Sequence, residues 1–198
     1  MRKIPAKLAS RLYDAAELIA ERGLDGTKID DIAEVTGIPK ATIYYHLDGK
    51  NGVLEFLLGD ILEMISSAVG VAVSGPEDAR TRLRAAMLAQ LGIMLEHPYL
   101  CRALMGDLGR VARLPELALA INGAFYQPIE QLLTEGVEDG SLRRVEDPAT
   151  VAVSVFGAVT IAGLSVAIER PHEDPAANAD RLTAGICDLV LDGLATRP

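Results

Sequence analysis

The chain has no tryptophan, three phenylalanines, two cysteines and three histidines among its 198 residues. Cys101 and Cys187 lie far apart and in no C-x-x-C spacing. That argues against a disulfide scaffold or a zinc cluster and for buried thiols in a reducing cytosol. His46, His97 and His172 are scattered, and no H-E-x-x-H, G-x-S-x-G or P-loop segment occurs. No catalytic residue, metal site or cofactor is therefore expected. No stretch alternates apolar and polar residues as a half-buried strand would, and there is neither a repeat nor a low-complexity tract. The N-terminus lacks the basic-then-apolar layout of a signal peptide, because Asp14, Glu17 and Glu21 interrupt its apolar stripe. A cytoplasmic protein is expected.

Positive charge is scarce and unevenly placed. The net charge is −9, yet residues 1–50 carry 8 basic and 8 acidic side chains, and all five lysines (Lys3, Lys7, Lys28, Lys40, Lys50) fall within them. The acidic surplus belongs to residues 51–198. Such a split leaves room for an anion-binding head on an acidic body.

What the sequence does contain is helical periodicity. A first helix is predicted from Lys7 to about Arg22, with Leu8, Leu12, Ala16 and Ile19 on one face and Gly23 as its stop. Thr27 and Asp30 form a capping-box-like pair opening a second helix through Val35. Gly37 makes a turn, and Pro39 suits the first position of a third helix that ends at Asp48-Gly49. Six more follow: 52–73, 77–96, 99–108, 115–138, 147–170, and a last one reaching about Leu194. Pro128 lies inside the 115–138 segment and predicts a kink there. The fold class is all-α.

The stretch "DIAEVTGIPKATIYYHLDGK", Asp31 to Lys50, decides the functional reading. Two short helices locked at a steep angle need a small residue where they cross, here Ala33. They need positive φ in the turn, here Gly37, and apolar pins, here Ile29, Ile32, Val35, Ile38, Ile43 and Leu47. With Ile43 and Leu47 inward, Lys40, Ala41, Thr42, Tyr44, Tyr45 and His46 are left on or near the open surface. Hydroxyls, an imidazole and an ammonium are groups that reach phosphates and base edges. One head offers few phosphate contacts, each modest in salt, so two heads one helical turn apart are needed and the chain should form a homodimer.

The segment "TKIDDIAEVTGIPKATIYYHLDGKNGVLEFL" resembles the N-terminal DNA-binding segment of the TetR family of bacterial transcriptional regulators. The resemblance is strong over about Lys7 to Leu58, and "EGVEDGSLRRVEDP" resembles a joint before that family's last two helices. It implies a three-helix helix-turn-helix DNA-binding domain at residues 1–50. A six-helix ligand-binding and dimerisation domain at 51–198 would follow. It also implies phosphate contacts by Thr27, Tyr44, His46 and Lys50, and base-edge or groove-wall contacts by Lys28, Lys40, Ala41, Thr42 and Tyr45. Three positions depart from the family pattern: Asp30, a carboxylate that repels phosphate unless it turns back to cap its helix; Pro39 in place of serine; and Ala41 in place of glycine.

The resemblance further implies a repressor of a palindromic double-stranded operator, released by a small apolar effector. A regulator without an effector, or an activator, is the alternative. The tract Ala149–Ile168 is twenty residues without a charge, long enough to span a membrane. Its flanks are Glu146, Asp147 and Glu169, it lacks Trp or Tyr anchors, and about half of it is Ala, Gly, Ser or Thr. A buried helix fits better than a membrane anchor. The resemblance places this tract and the final helix in a dimer interface, through Val151, Val155, Ala158, Ala162, Ser165, Leu182, Ile186 and Leu189. Phe56, Met64, Met87, Met94, Tyr99, Met105, Phe125, Tyr126 and Phe156 could line an apolar effector pocket or be plain core. His97 reads as a helix-end cap rather than a ligand contact, and the alternating Arg80, Arg82 and Arg84 as a solvated face.

Overall fold

A computed structural model describes residues 4–106, 115–169 and 174–194, without the side chains of 104, 115–117, 193 and 194. His172 and Arg170 lie outside the described residues. Every regular element among the described residues is helical. The chain divides into two compact units, one of Met1–Ile61 with Tyr99–Leu117, the other of Leu62–Pro98 with Ala118–Pro198. The first unit is thus larger than the 1–50 head expected from sequence. It takes in the start of a 25-residue helix and a later segment.

In the first unit, α1 (Ala6–Leu12) and α2 (Asp14–Gly26) join across Tyr13, whose φ of −61° and ψ of −28° remain helical. The helix stops at Gly23, where φ turns to 67°, as the sequence predicts. Leu12, Ala16 and Ile19 are buried and Leu8 is half-buried. Helix α3 (Ile29–Thr36) starts in a different register from the Thr27–Asp30 pairing. Lys28 is its N-cap, and the Lys28 backbone N–H donates to the Asp31 carboxylate at 3.2 Å. Thr27 instead donates its hydroxyl to the Gly23 carbonyl at 2.8 Å. Asp30 and Asp31 occupy the first turn of α3, where negative charge suits the exposed N–H groups.

The turn after α3 is tied by side chains. The Thr36 hydroxyl donates to the Ile32 carbonyl at 2.6 Å and accepts from the Ile38 N–H at 3.2 Å. Gly37 follows with φ 61° and ψ 16°. Helix α4 (Lys40–His46) begins after Pro39, which is the N-cap rather than the first helical residue. Helix α5 (Gly49–Val73) then runs on. Ile32, Ile38, Ile43 and Leu47 are buried pins, and Ile29 is half-buried. Burying each such side chain stabilises by about 1.5–3 kcal/mol. Val35 is the exception at 45% exposed. Ile32 and Thr36, four residues apart, take the inward line of this short helix and leave Val35 on its flank. Helix α7 (Pro98–Gly106) also contributes to this unit, with Leu100, Cys101 and Ala103 buried. Burial pushes the Cys101 thiol up to about 12.

The second unit is built round α6 (Ala79–Glu96), which packs against three other helices. These are α9 (Gln127–Glu138), α10 (Pro148–Glu169) and α11 (Pro175–Leu194). Leu83, Ala86, Met87, Gln90, Leu91 and Met94 of α6 are accordingly buried. Gly163 of α10 lets the backbones approach: a Cβ there would stand 3.1 Å from Leu91 Cδ2 and 3.1 Å from Met94 Cε. Asp78 caps α6 by accepting from the Thr81 N–H at 2.8 Å, and His97 closes it with its backbone N–H on the Ile93 carbonyl at 3.1 Å.

The arginines of α6 part company. Arg80 pairs with Asp192 at 3.1 Å, and Arg84 is exposed. Arg82 is not on a solvated face: its side chain is 15% exposed and donates to Glu135 at 2.6 Å and to the Val73 carbonyl at 3.1 Å. Successive odd steps along a helix rotate side chains to different neighbours, which composition alone does not resolve.

Helix α8 (Pro115–Ile121) leads into a π-helical turn, Asn122–Tyr126, and then α9. The wide turn sits immediately before Pro128, whose missing N–H cannot meet the carbonyl four residues back. Where the sequence predicts a kink inside one helix, the chain instead has this wide turn between two helices. Asp147 caps α10, accepting from the Thr150 N–H at 3.1 Å, with Pro148 as the first helical residue. By length and composition two helices could cross a membrane, α5 and α10. Each nevertheless buries a stripe: Val53, Leu57, Ile61, Ile65 and Val69 in α5, and Ala152, Val155, Val159, Gly163 and Val166 in α10.

Candidate nucleic-acid interface

Helix α4 is a seven-residue rod with two unlike sides. Ile43 and Leu47 hold it to the unit's interior, and the Thr42 and Ile43 N–H groups donate to the Pro39 carbonyl at 2.8 and 3.1 Å. On the outward side Tyr44 and Tyr45 are 60% and 62% exposed, with Lys40 and Ala41 also exposed. Burying such rings is favourable, so two exposed tyrosines in succession present a surface rather than a core. Thr42 and His46 are half-buried at its margins. The Tyr44 ring lies against Gly49, and the Tyr45 ring meets His46 edge-on with centroids 4.9 Å apart. His46 Nδ1 is buried without a hydrogen-bond partner.

The angle between α3 and α4 is fixed from behind. Arg11 Nε donates to the Thr36 carbonyl at 2.9 Å, capping the end of α3. Its guanidinium also covers Gly37, so a Cβ at that position would collide with Arg11 Nη2. Arg11 carries no signal in sequence, because its partner lies 25 residues away.

Several residues expected at the interface sit elsewhere. Thr27 is 1% exposed, with its hydroxyl tied to Gly23. Lys50 is half-buried, and its ammonium donates to the carbonyls of Leu24 at 2.7 Å, Thr27 at 3.0 Å and Asp25 at 3.4 Å. Those carbonyls close α2, where a cation is favoured by the helix dipole. In this conformation neither side chain faces outward. Lys28 is exposed. Lys40 Nζ is ion-paired with the Asp30 carboxylate, so Asp30 does not turn back to cap its own helix. Of the residues expected at the interface, Lys28, Lys40, Ala41, Tyr44 and Tyr45 are thus exposed, and Thr42 and His46 half-buried.

The methionine and aromatic set does not converge on one space. A closed cavity in the second unit is lined by Val69, Ala86, Met87, Gln90, Phe125, Ile129, Val155 and Phe156. Its free space of about 10 Å³ has room for about one water. Met87, Phe125 and Phe156 of the expected set are there. Phe56, Met64, Met94, Tyr99, Met105 and Tyr126 are not. Tyr99 belongs to the first unit, where Glu17 accepts from its hydroxyl and holds the phenol above its usual pKa. The Phe156 ring stands 4.7 Å from Phe125 and 5.4 Å from Tyr126. Sequence reasoning missed Gln90, which is buried and donates from Nε2 to the Thr160 hydroxyl at 3.0 Å.

The expected dimer residues divide as well. Val155 and Ile186 are buried inside the subunit, Val151, Ala158, Ala162 and Leu182 are half-buried, and Ser165 and Leu189 are exposed. The exposed apolar residues of α10 are Val153, Ile161 and Ile168, on the side away from its buried stripe. The free face of α10 is thus rotated from the expected one.

The family model described as bacterial regulatory proteins of the tetR family matches residues 12–57. The chain is similar to the HTH-type transcriptional repressor KstR2 of Rhodococcus jostii (strain RHA1), 28% identical over 92% of this chain and 88% of that protein. Over 42 residues it is 48% identical to IcaR of Staphylococcus aureus, the HTH-type negative transcriptional regulator of the biofilm operon icaADBC. That match covers 21% of this chain and 23% of IcaR. Its fold is that of the ketosteroid transcriptional regulator KstR2 of Mycobacterium tuberculosis, with a TM-score of 0.80 at 22% identity over 98% of both chains. A helix-turn-helix with an exposed Tyr44–Tyr45 face, the family match across that head and the near full-length similarity to a repressor together support a TetR-family DNA-binding transcriptional regulator.

Proposed function

We propose that this regulator is a cytoplasmic homodimeric repressor that binds a palindromic duplex operator and leaves it when a small apolar molecule enters the second unit. The observation that carries the reading is the contrast along α4: Ile43 and Leu47 are buried while Tyr44 and Tyr45 are open. A rod of seven residues is about 10 Å long, a length that fits the major groove. Phosphate contacts from one head are few, so affinity at cellular salt rests on two heads reading half-sites about 34 Å apart.

Dimerisation through α10 and α11 is supported by their unpartnered apolar residues, Val153, Ile161, Ile168 and Leu189, the last 78% exposed. The effector reading is supported by the closed cavity around Met87, Phe125 and Phe156, whose adaptable and flat side chains suit an apolar guest. Gln90, whose amide donates to the Thr160 hydroxyl, supplies one polar point in its wall. A guest releases DNA only if it binds better to the conformation unfit for the operator; moving a mostly bound population to mostly free takes about 5 kcal/mol of that preference.

Selection of bound duplexes from a random pool tests the reading. A two-fold symmetric site is expected, with Tyr45→Ala relaxing its sequence preference. Absence of any preferred duplex at low ionic strength would overturn it. A symmetric site whose occupancy no apolar compound lowers would overturn the effector half alone.

A further inference from the structure

We infer that Asp30 is a specificity-determining residue: it aims the Lys40 ammonium at an acceptor on a base edge, so that Lys40 reads sequence rather than holding a phosphate. This rests on α4 being the groove helix. Lys40 is the first residue of α4, Asp30 lies in the first turn of α3, and the two side chains pair across the turn that joins these helices. Both are largely open to solvent, 53% and 61% exposed. An exposed pair contributes little to folding, so the start of α3 accounts for a carboxylate at residue 30 but not for its pairing with Lys40.

Its effect on Lys40 is more definite. A free lysine samples many rotamers about its four-carbon stem and acts as a mobile point charge. Asp30 takes one of the three ammonium N–H groups and restrains the head, leaving two donors for another acceptor. The pair is also nearly neutral as a unit. A lysine already compensated by a carboxylate releases few counterions on meeting a phosphate, which removes the main gain of such a contact. An oriented donor without net charge is suited instead to the O6 and N7 acceptors of guanine in the major groove. Asp30 acts through Lys40 and is a positioning residue.

The test is selection from a random duplex pool with wild type, Asp30→Asn, Lys40→Met and the double variant, with salt dependence of binding to the wild-type site measured for each. Asp30→Asn and Lys40→Met should each relax preference at the same base pair of both half-sites, by about fivefold or more. The double variant should lose no more than either single one. The salt slope of the double variant, which exchanges a neutral pair for neutral side chains, should stay within a fraction of a unit of wild type, and thermal melting should be unchanged. If Asp30→Asn tightens binding to all sequences alike, Asp30 is only a repelling charge and the inference fails. It fails equally if the slope of the double variant falls by about one, the mark of a phosphate contact. A wild-type protein that selects no duplex would instead overturn the groove reading itself.

Discussion

Arg11 covers Gly37: the guanidinium that donates to the Thr36 carbonyl at 2.9 Å occupies the space a side chain at residue 37 would need. A residue of the first helix thereby closes the turn on which the angle between α3 and α4 depends. Gly37→Ala would meet two penalties, a positive φ of 61° and the guanidinium. The guanidinium is the far end of a flexible side chain and can shift, so the backbone penalty dominates, about 1–2 kcal/mol. Thermal denaturation should show that loss, and operator affinity should fall with it. An unchanged melting temperature would mean the turn does not need its left-handed residue.

Lys50 gives a prediction opposite to the one its family position suggests. Its three carbonyl partners lie at the end of α2 and on its cap residue Thr27, so Lys50→Met should destabilise the head by roughly 1.5–3 kcal/mol, the range for hydrogen bonds to a charged group. The slope of log affinity against log salt should not move. A slope reduced by about one, without loss of stability, would return Lys50 to the phosphate contacts.

The free face of α10 separates two glutamate substitutions. Ile161→Glu places a charge where the subunit leaves the side chain 58% exposed, so the subunit should fold and run as a monomer in sedimentation. Val155→Glu puts the same charge inside the subunit core and should prevent folding, an unpaired buried ion costing several kcal/mol. A dimeric Ile161→Glu variant would move the interface elsewhere.

Acid should loosen the second unit. Asp139 is held below the usual carboxylate range by the Ser141 hydroxyl and the Ala79 and Ser141 N–H groups. Thr150 does the same for Asp147, and Gln131 with Arg82 for Glu135. Carboxyls depressed in the folded state contribute stability that is present above about pH 4, their unfolded range, and lost as pH falls through the folded values. Stability measured from pH 7 down to pH 3 should drop most steeply below pH 4. Asp139→Asn should flatten that drop; an undiminished acid slope would rule Asp139 out as a contributor.

Much of the fold was legible because its signals are local. Gly23, Gly37, Asp147-Pro148 and Pro128 announce ends, turns and an irregularity through their own backbone chemistry. Ile32, Ile38, Ile43 and Leu47 follow the helical period, and the open faces of Tyr44 and Tyr45 follow from it. Thr27 and Lys50 misled because the same hydroxyl or ammonium serves a phosphate or a carbonyl, and only the folded chain shows which is near. Arg11 and the Asp30–Lys40 pair lie beyond any helical spacing. In the second unit the rotation of α10 was hidden because an all-apolar helix has no polar side to mark its free face. Gln90 was hidden for a related reason, since a single amide in an apolar run does not say whether it is buried.

The wide loop of backbone at Asn122–Tyr126 has a consequence for length changes in this chain. Such a turn houses one residue beyond the ordinary helical count, so excising a single one, Gly123 for instance, would let the coil close regularly. The segment before it would keep its rotational phase, so Ile121, Phe125 and Ile129 would all stay in their buried settings. A one-residue deletion there would be absorbed by the turn, whereas the same deletion in a regular stretch of α9 would turn every upstream side chain by about 100°.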